Sequence, residues 1–265
     1  MIPPMGESWQ RRIDRAVYLA EAVEASRPLL LVYSQLLGLQ RDCYETIRRS
    51  ANRLTGSLDL DLPVLRTAVA PMLSGLAAVA PPPVAEEIRR VLDGGSPAID
   101  AALRTAWHAP SDHQFVAKVA LQPYAECLAA IDVRPVDRDL PPGRFGCPFC
   151  GGSPQLSILQ SVGDASDGGG RYLLCATCST TWSFGRVKCA YCGEEDEHRL
   201  GYYHAPLFDH LRVDVCESCR HFLKTVDRTR LGLAVPVVDE VAGASLDLWA
   251  RDHGYEKIEL NLVGL

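Results

Sequence analysis

Four C-x-x-C pairs decide the fold of the second half of this chain: CPFC at 147–150, CATC at 175–178, CAYC at 189–192 and CESC at 216–219. They hold eight of the ten cysteines within 73 of the 265 residues. Two residues between cysteines let the backbone turn so that both sulfurs face one ion, and a glycine follows the first and third pairs. A tetrahedral metal needs four such donors, so we interpret the pairs as metal-binding turns.

The intervals between the pairs favour two sites in tandem. The first two pairs read C-x2-C-x24-C-x2-C and the last two read C-x2-C-x23-C-x2-C, slightly longer than the usual ribbon spacing. An interleaved arrangement, first pair with third and second with fourth, is the alternative. The candidate ligands are Cys147, Cys150, Cys175, Cys178, Cys189, Cys192, Cys216 and Cys219. Four thiolates suit Zn²⁺ or a single iron, and the sequence does not separate the two metals.

The metal sites have two competing interpretations. A β unit of about 40 residues buries too little surface to fold alone, so a four-cysteine site can be purely structural. Exposed C-x-x-C thiols can also have a lowered pKa and exchange readily, which would give a redox or sulfur-transfer role. We favour the structural interpretation, because no thioredoxin-like pattern surrounds any of the pairs.

Charge and hydropathy exclude several classes of protein. The net charge is −6 with a pI near 5.7, and residues 144–230 hold ten basic and ten acidic side chains. Two divalent ions on eight thiolates would take that segment to about −4, which argues against a zinc-ribbon nucleic-acid-binding protein. The apolar runs are too short for a membrane span, and the first residues lack a signal-peptide pattern. We therefore expect a cytoplasmic protein with reduced thiols and no membrane insertion.

The spacing of apolar residues along the chain changes near residue 140. Helical spacing of apolar residues predicts an α-helical domain over residues 1–140. Its helices are expected at 8–26, 28–49, about 62–79, a short stretch from 84 that Gly94-Gly95 closes, 99–107 and 112–131. Pro123 is expected to kink or divide the last of these. A linker over 133–146 and a mobile Gly/Ser/Asp-rich loop over 163–170 complete the irregular segments.

The sequence after the linker predicts small β units. Strand-like runs occur at 171–174, 181–184, 212–215 and 222–226, and helical spacing returns over 238–253 with Gly254 as a C-cap. The fold class is therefore multidomain α+β. An N-terminal α-helical bundle precedes two tandem rubredoxin- or zinc-ribbon-like four-cysteine β units, at 145–186 and 187–230, and a C-terminal helix and tail at 236–265.

Other residues carry weaker signals. Cys43 and Cys127 lie on helical segments and are expected in the core. Four histidines in the cysteine region are expected to be surface residues or surplus ligands: His198, His204, His210 and His221. The acidic run Glu194–Glu197 is expected to be a solvated turn.

The motifs together resemble the formate dehydrogenase accessory protein (FdhE) family. The resemblance is carried by CPFCGGSP (147–154), RYLLCATC (171–178), Trp182, RVKCAYCG (186–193), CESCRHFLK (216–224) and the closing segments 238–241, 246–248 and 254–255. It implies a cytoplasmic bacterial accessory protein, not an enzyme, that binds the catalytic subunit of a molybdenum-containing formate dehydrogenase before export and supports its activation or assembly.

The resemblance also implies a rubredoxin-like C-terminal half and favours iron over zinc. By position, the eight motif cysteines are the ligands, while Arg171, Tyr172, Trp182 and Arg186 support the fold or the partner surface. We expect the catalytic subunit to dock at the junction of the helical and metal-binding parts, nearest Cys147/Cys150 and Cys175/Cys178. A homodimer is compatible with the sequence. The alternatives are a rubredoxin-like redox or thiol-transfer protein and, against the charge count, a nucleic-acid-binding ribbon.

Overall fold

A computed structural model describes residues 7–111, 114–138, 145–161 and 169–265. A helical layer packs on one mixed β-sheet, and the first of two C-terminal helices lies at the contact between them. One continuous apolar core runs from the helical layer into the sheet. The predicted helical bundle followed by a cysteine-rich β region is confirmed.

The helical layer contains the six helices that the spacing predicts. They are α1 (Trp9–Ala22), α2 (Arg27–Arg49), α3 (Leu58–Val79), α4 (Pro82–Asp93), α5 (Gly95–His108) and α6 (Phe115–Ala130). The Ser8 side chain accepts a hydrogen bond from the Arg11 amide and caps α1. Pro82 and Pro83 lie in the first turn of α4, where a missing amide proton costs no helical hydrogen bond.

Two helices differ from the sequence-based expectation. Pro123 lies inside α6, which continues to Ala130 without being divided. Helix α3 begins at Leu58, four residues earlier than predicted, with Asp61 in its first turn. By length and composition alone α3 passes as a membrane-crossing helix, but Leu62 and Leu65 on it are fully buried in the protein core. Its position in the core of the bundle accounts for the apolar composition of α3.

The sheet contains seven strands in the described residues. They are β1 (Pro154–Gln160), β2 (Gly170–Cys175), β3 (Thr181–Phe184), β4 (Leu200–His204), β5 (Leu211–Cys216), β6 (His221–Asp227) and β7 (Glu256–Lys257). The order is β3-β2-β1-β6-β5-β4, and β7 pairs with β6. The four predicted strands are present as β2, β3, β5 and β6, whereas β1, β4 and the two-residue β7 were not predicted.

The two cysteine units share this sheet. Each has the same order of elements: a C-x-x-C turn, two antiparallel strands, a second C-x-x-C turn and a third strand. The units are joined where β1 runs parallel to β6, with Leu156 opposite Lys224 and Ile158 opposite Val226. The tandem units are therefore not separate modules, because main-chain pairing makes them one sheet.

The predicted C-terminal helix is two helices, α7 (Pro236–Ala242) and α8 (Ala244–Asp252), separated by Gly243. A side chain at Gly243 would place its Cβ 2.8 Å from Leu211 Cδ1, so any larger residue would require the buried Leu211 side chain to move. The predicted C-cap at Gly254 is confirmed, with φ +75°. Every residue of α7 is buried, because the helix is packed against α1 and α2 on one side and β1 and β6 on the other.

Four charged side chains are enclosed between α7, α8 and the sheet. Lys224, Glu240, Asp247 and Lys257 all have fully buried side chains, and we call this group the buried quartet. Lys224 donates to Asp247 and to the Glu240 carbonyl, while Lys257 donates to the Glu240 carboxylate and lies 2.9 Å from Asp247 Oδ1. Two positive and two negative charges thus compensate one another where water is excluded.

Two expected irregular segments are described only in part. The predicted linker is described at 133–138 and 145–146, and the predicted Gly/Ser/Asp-rich loop is described only at 169–170. The remainder of both segments, like residues 112–113 at the predicted start of α6, lies outside the described residues.

Candidate metal centres

The first four-cysteine group forms where the turns flanking β1 and β2 meet. The Sγ atoms of Cys147, Cys150, Cys175 and Cys178 all lie within 4.8 Å of one another. Cys147 Sγ is 3.7 Å from Cys178 Sγ, and Cys150 Sγ is 3.5 Å from Cys175 Sγ. We call this group cluster 1.

The second group has the same arrangement in the second unit. Cys189 Sγ is 3.7 Å from Cys219 Sγ, and Cys192 Sγ is 3.7 Å from Cys216 Sγ. We call this group cluster 2. The structure thus brings the cysteine pairs together in sequential order, first with second and third with fourth, and not in the interleaved order.

The donor geometry fits one tetrahedral ion in each cluster. A tetrahedron with metal–sulfur bonds of about 2.3 Å has sulfur–sulfur edges of about 3.8 Å. The separations given above, 3.5–3.7 Å, are close to that value. Both clusters offer only sulfur, which suits zinc or iron, and a bound ion would cross-link two turns and add its binding energy to folding.

Backbone amides also point at the sulfurs, as a thiolate site requires. The amides of Phe149, Thr177 and Tyr191 donate to Sγ of the cysteine two residues earlier, at 3.3–3.4 Å. Amide donors of this kind stabilise the negative charge that four thiolates leave on a divalent ion. The turns are therefore shaped for the metal-bound state.

The residue after each C-x-x-C pair has a left-handed backbone. The φ angles are +74° at Gly151, +82° at Gly193, +55° at Ser179 and +60° at Arg220. Glycine adopts this conformation without cost, whereas other residues lose roughly 1–2 kcal/mol. Tertiary contacts hold the two costly positions: the Ser179 hydroxyl donates to Glu126, and the Arg220 guanidinium donates to the His253 carbonyl.

Cluster 1 is sealed from solvent. None of its four cysteines is more than 5% exposed. Burial raises the pKa of the Cys175 and Cys178 thiols well above the ordinary value, while hydrogen bonds from Cys147 and the other cluster thiols lower the pKa of Cys150. Without an ion the cluster therefore retains protons, and loading a metal releases them.

The helical layer forms one wall of cluster 1. The Glu126 carboxylate of α6 accepts from Arg12 Nη1 of α1 at 2.8 Å and from the hydroxyl of Ser179 at 2.6 Å. Arg138 Nη1 donates to the Cys150 carbonyl at 3.0 Å, and Arg134 Nη1 donates to the Pro148 carbonyl at 2.9 Å. Cluster 1 thus lies at the junction between the helical and metal-binding parts of the chain.

Cluster 2 is more open. Cys192 and Cys219 are partly exposed. The Tyr191 ring stacks on His221 with centroids 3.5 Å apart, and His221 Nδ1 lies 2.8 Å from the Cys219 carbonyl oxygen. The Ser218 hydroxyl donates to the Glu194 carboxylate, which lowers the pKa of that carboxylate and links the two cluster turns. The rest of the acidic run, residues 195–197, is exposed, as expected for a solvated turn.

Arg171 connects the two clusters. It extends from β2, 4% exposed, and its Nη1 donates to the carbonyls of Gly185 and Lys188, just before the third C-x-x-C pair. Its Nη2 also pairs with Asp214 on β5 at 3.3 Å. Burial lowers the pKa of the Arg171 guanidinium. The contacts show how Arg171 stabilises the fold.

The other residues that the resemblance singled out have distinct places. Trp182 packs against a small second core around Leu173 and Leu223. Tyr172 lines a cavity described below, and Arg186 is exposed, with Nη1 donating to the Gly169 carbonyl.

The four histidines of the cysteine region, all within the described residues, contribute no atom to either cluster. His198 and His204 are exposed, and His210 Nε2 lies 2.8 Å from the carboxylate of Asp239. Cys43 and Cys127 are both buried in the helical core, as predicted.

A cavity of about 430 Å³ separates the sheet from the helical layer beside cluster 1. Its floor includes Ile158, Tyr172 and Leu174, and its wall includes Arg12 and residues 179–183. Sequence analysis did not single out Arg12, Glu126 or Arg138. No local motif marks these residues, since each acts through a partner at least 12 positions away along the chain.

The comparisons with known proteins concern mainly the metal-binding part. Residues 146–186 match the family model "FdhE, central domain", and residues 187–263 match "FdhE, C-terminal domain". The chain is 36% identical over 118 residues to a protein called "Protein FdhE homolog" from Aquifex aeolicus, covering 44% of this chain and 41% of that protein. It is 33% identical over 150 residues to the homologue from Rhizobium meliloti, covering 55% and 46%.

These alignments span less than half the length of the curated relatives. A structural comparison extends further: the crystal structure of the FdhE protein from Pseudomonas aeruginosa superposes with a TM-score of 0.65 over 96% of this chain and 94% of that one. The sequence identity in that superposition is 24%, so it establishes the fold. Residues 146–263 thus match the central and C-terminal domains of the FdhE family, and the chain shares the fold of an FdhE protein.

Proposed function

We propose that this chain is a cytoplasmic accessory protein that binds the catalytic subunit of a molybdenum-containing formate dehydrogenase and supports its activation or assembly. The observation that carries the proposal is that both FdhE domains retain a complete four-cysteine cluster. In this role the chain acts by binding and has no turnover of its own.

We further propose that each cluster holds one metal ion through its four cysteines. The clusters have tetrahedral donor spacing, and the family resemblance favours iron over zinc. Metal analysis and a visible spectrum of anaerobically purified protein test this. Two irons per chain with thiolate-to-iron bands support iron, two colourless zincs support structural sites, and fewer than two metals contradict the proposal.

The junction beside cluster 1 is the favoured docking region for the subunit. Cluster 1 contacts the helical layer through Ser179 and Glu126, and an open cavity lies next to it. Contacts between domains of one chain frequently form binding sites, because two surfaces with different chemistry meet there.

A binding experiment with purified components tests the proposed function. The chain and a formate dehydrogenase catalytic subunit are expected to co-elute, and deletion of the gene is expected to lower formate dehydrogenase activity while the subunit persists. Cys147→Ser with Cys175→Ser is expected to weaken binding, whereas Cys43→Ala, which changes a cysteine outside the clusters, is the control. Absence of binding by the wild-type chain contradicts the proposal.

A second candidate function is a rubredoxin-like redox or thiol-transfer protein. The partial exposure of Cys192 and Cys219 favours it, because electron or thiol exchange needs access to sulfur. Reversible reduction of bound iron at a physiological potential would support this candidate, and redox-silent zinc in both clusters would exclude the iron version.

A further inference from the structure

One edge of the sheet is open beside the cavity. The Cys175 amide donates to the Thr180 carbonyl at 3.0 Å. Because hydrogen-bonded pairs alternate along an antiparallel ladder, Trp182 bonds to β2, whereas the amides and carbonyls of Thr181 and Ser183 point away from it. Within the described ranges, no strand pairs with β3 on that side. Residues 181–183 also line the cavity, so the open edge of β3 lies at the border of the cavity.

A buried guanidinium group in the same wall lacks part of its hydrogen bonding. Arg12 is 3% exposed, and its Nη1 donates to Glu126. Its Nε is buried with no hydrogen-bond partner. A buried donor to which nothing binds is destabilising, and more so when it is charged. This Nε atom is enclosed by protein, so a molecule in the cavity does not reach it in the described conformation.

A second, more open groove of about 570 Å³ lies beside the cavity. The two spaces share the lining residues Glu7, Arg12, Ala129 and Ser179, and Ser179 directly follows the cluster 1 cysteine Cys178. We call the two adjoining spaces the path.

Charges along the path favour an acidic side chain at one position. Arg134 lines the cavity, is exposed, and donates to a main-chain carbonyl; within the described residues no carboxylate pairs with it. Arg228 is compensated by Glu7 at 3.5 Å. Asp132 also lines the cavity and offsets part of the positive charge, so the site suits one carboxylate and not a run of them.

We propose that this path binds an extended segment of the partner polypeptide, which adds a strand to β3 and places a carboxylate against Arg134. The inference rests on the proposed function, since the partner is the formate dehydrogenase catalytic subunit. Strand addition supplies main-chain hydrogen bonds, and the carboxylate supplies orientation. Cluster 1 then acts as the rigid base of the site.

Residue-resolved amide hydrogen exchange of the metal-loaded full chain tests the strand addition. On adding purified catalytic subunit, the Thr181 and Ser183 amides are expected to exchange at least about tenfold more slowly. The Trp182 amide, already bonded to β2, is the internal control and is expected to change little. Equal exchange at Thr181 and Ser183 with and without bound subunit would overturn the inference.

Two variants with matched controls test the path by affinity. Ser183→Trp fills the cavity from an exposed position, and Arg134→Glu reverses its uncompensated charge. Each is expected to raise the Kd for the subunit by about tenfold or more, with unchanged metal content. The controls Ser74→Trp and Arg89→Glu make the same changes at exposed helical positions outside the path, and both are expected to bind within about twofold of wild type.

The outcomes separate the two proposals. If the wild-type chain binds the subunit and both path variants bind equally well, the inference is wrong while the proposed function stands. If the wild-type chain does not bind, the proposed function is wrong and the inference falls with it. If protection of Thr181 and Ser183 appears on raising the chain concentration without subunit, the occupant is a second copy of this chain and the inference is overturned.

Discussion

Replacing Lys224 by methionine should destabilise the chain strongly. The Lys224 side chain is fully buried in the buried quartet, where it is bonded to Asp247 and to the Glu240 carbonyl. Methionine has a similar length and removes one of two positive charges. Two carboxylates would then share Lys257 alone, and the enclosed group would carry a net charge of −1.

The expected loss of stability follows from the burial of the four charged side chains. Removing one partner of a fully buried ion pair costs about 3–5 kcal/mol, because the remaining charge has neither water nor a counter-ion. All four side chains of the quartet are 0% exposed, so solvent does not screen the interactions between their charges. We therefore expect the free energy of unfolding to fall by about 3–5 kcal/mol.

Urea unfolding followed by circular dichroism, on metal-loaded protein at pH 7, measures the change. Lys188→Met is the matched control: Lys188 is 28% exposed, pairs with the exposed Glu195, and should change stability by less than about 1 kcal/mol. Adding Asp247→Asn to Lys224→Met removes the excess charge and should recover at least half of the loss. A Lys224→Met protein within about 1 kcal/mol of wild type, or a double variant no more stable than the single one, would refute the reasoning.

Three further outcomes are expected. Cys175→Ser should remove one metal per chain and loosen the junction with the helical layer, whereas Cys192→Ser should remove one metal with a smaller loss of stability, measured by metal analysis and thermal unfolding. Burial alone would raise the pKa of Asp239, but hydrogen bonds from its basic neighbours outweigh burial and hold the pKa below 3.8. The ionised Asp239 carboxylate therefore stabilises the fold above about pH 4, and this stabilisation is lost as the pH falls through the lowered pKa. Asp239→Asn should flatten that acid limb of a curve of stability against pH. Tyr124→Phe removes a 2.7 Å hydrogen bond to buried Asp61 and should lower the free energy of unfolding by about 1–2 kcal/mol in the same urea assay, and an unchanged midpoint would contradict that reading.

The helices and the metal clusters could be predicted because their signals are local. Apolar spacing along a helix is set by its own periodicity, and each C-x-x-C turn brings two sulfurs together by itself. The order of the four pairs also followed from local features, since β2 and β5 each end at the cysteine that begins the next turn of the same cluster.

The missed strands depend on partners far away along the chain. Strand β1 contains polar Gln155 and Ser157, which a local pattern does not expect in a fully buried strand. They are tolerated because Gln155 donates to Glu240 and Ser157 bonds to Thr225, 85 and 68 positions away. Strand β4 was missed for a different reason: its exposed tyrosines at 202 and 203 break the alternation that marks a half-buried strand.

The fusion of the two cysteine units into one sheet could not be predicted for the same reason. The parallel pairing of β1 with β6 joins segments about 70 residues apart in sequence, and no local pattern in either strand indicates that the other is its partner. The link from Arg12 through Glu126 to Ser179 likewise joins α1, α6 and cluster 1 by residues that no motif connects.

The way in which the two units join has a consequence for self-assembly. The first strand of one unit, β1, pairs with the last strand of the other, β6. The units are therefore related head to tail and not by a closed two-fold axis. In the described part of the chain β4 pairs only with β5, and β4 is the second unit's counterpart of β1. A head-to-tail relation of this kind is open-ended, like that of a solenoid, and polymerisation would join the β4 edge of one chain to the β3 edge of the next. With five residues β4 offers only a short edge to such growth, and an engineered extension of the sheet would have to use β4 or the opposite edge, β3.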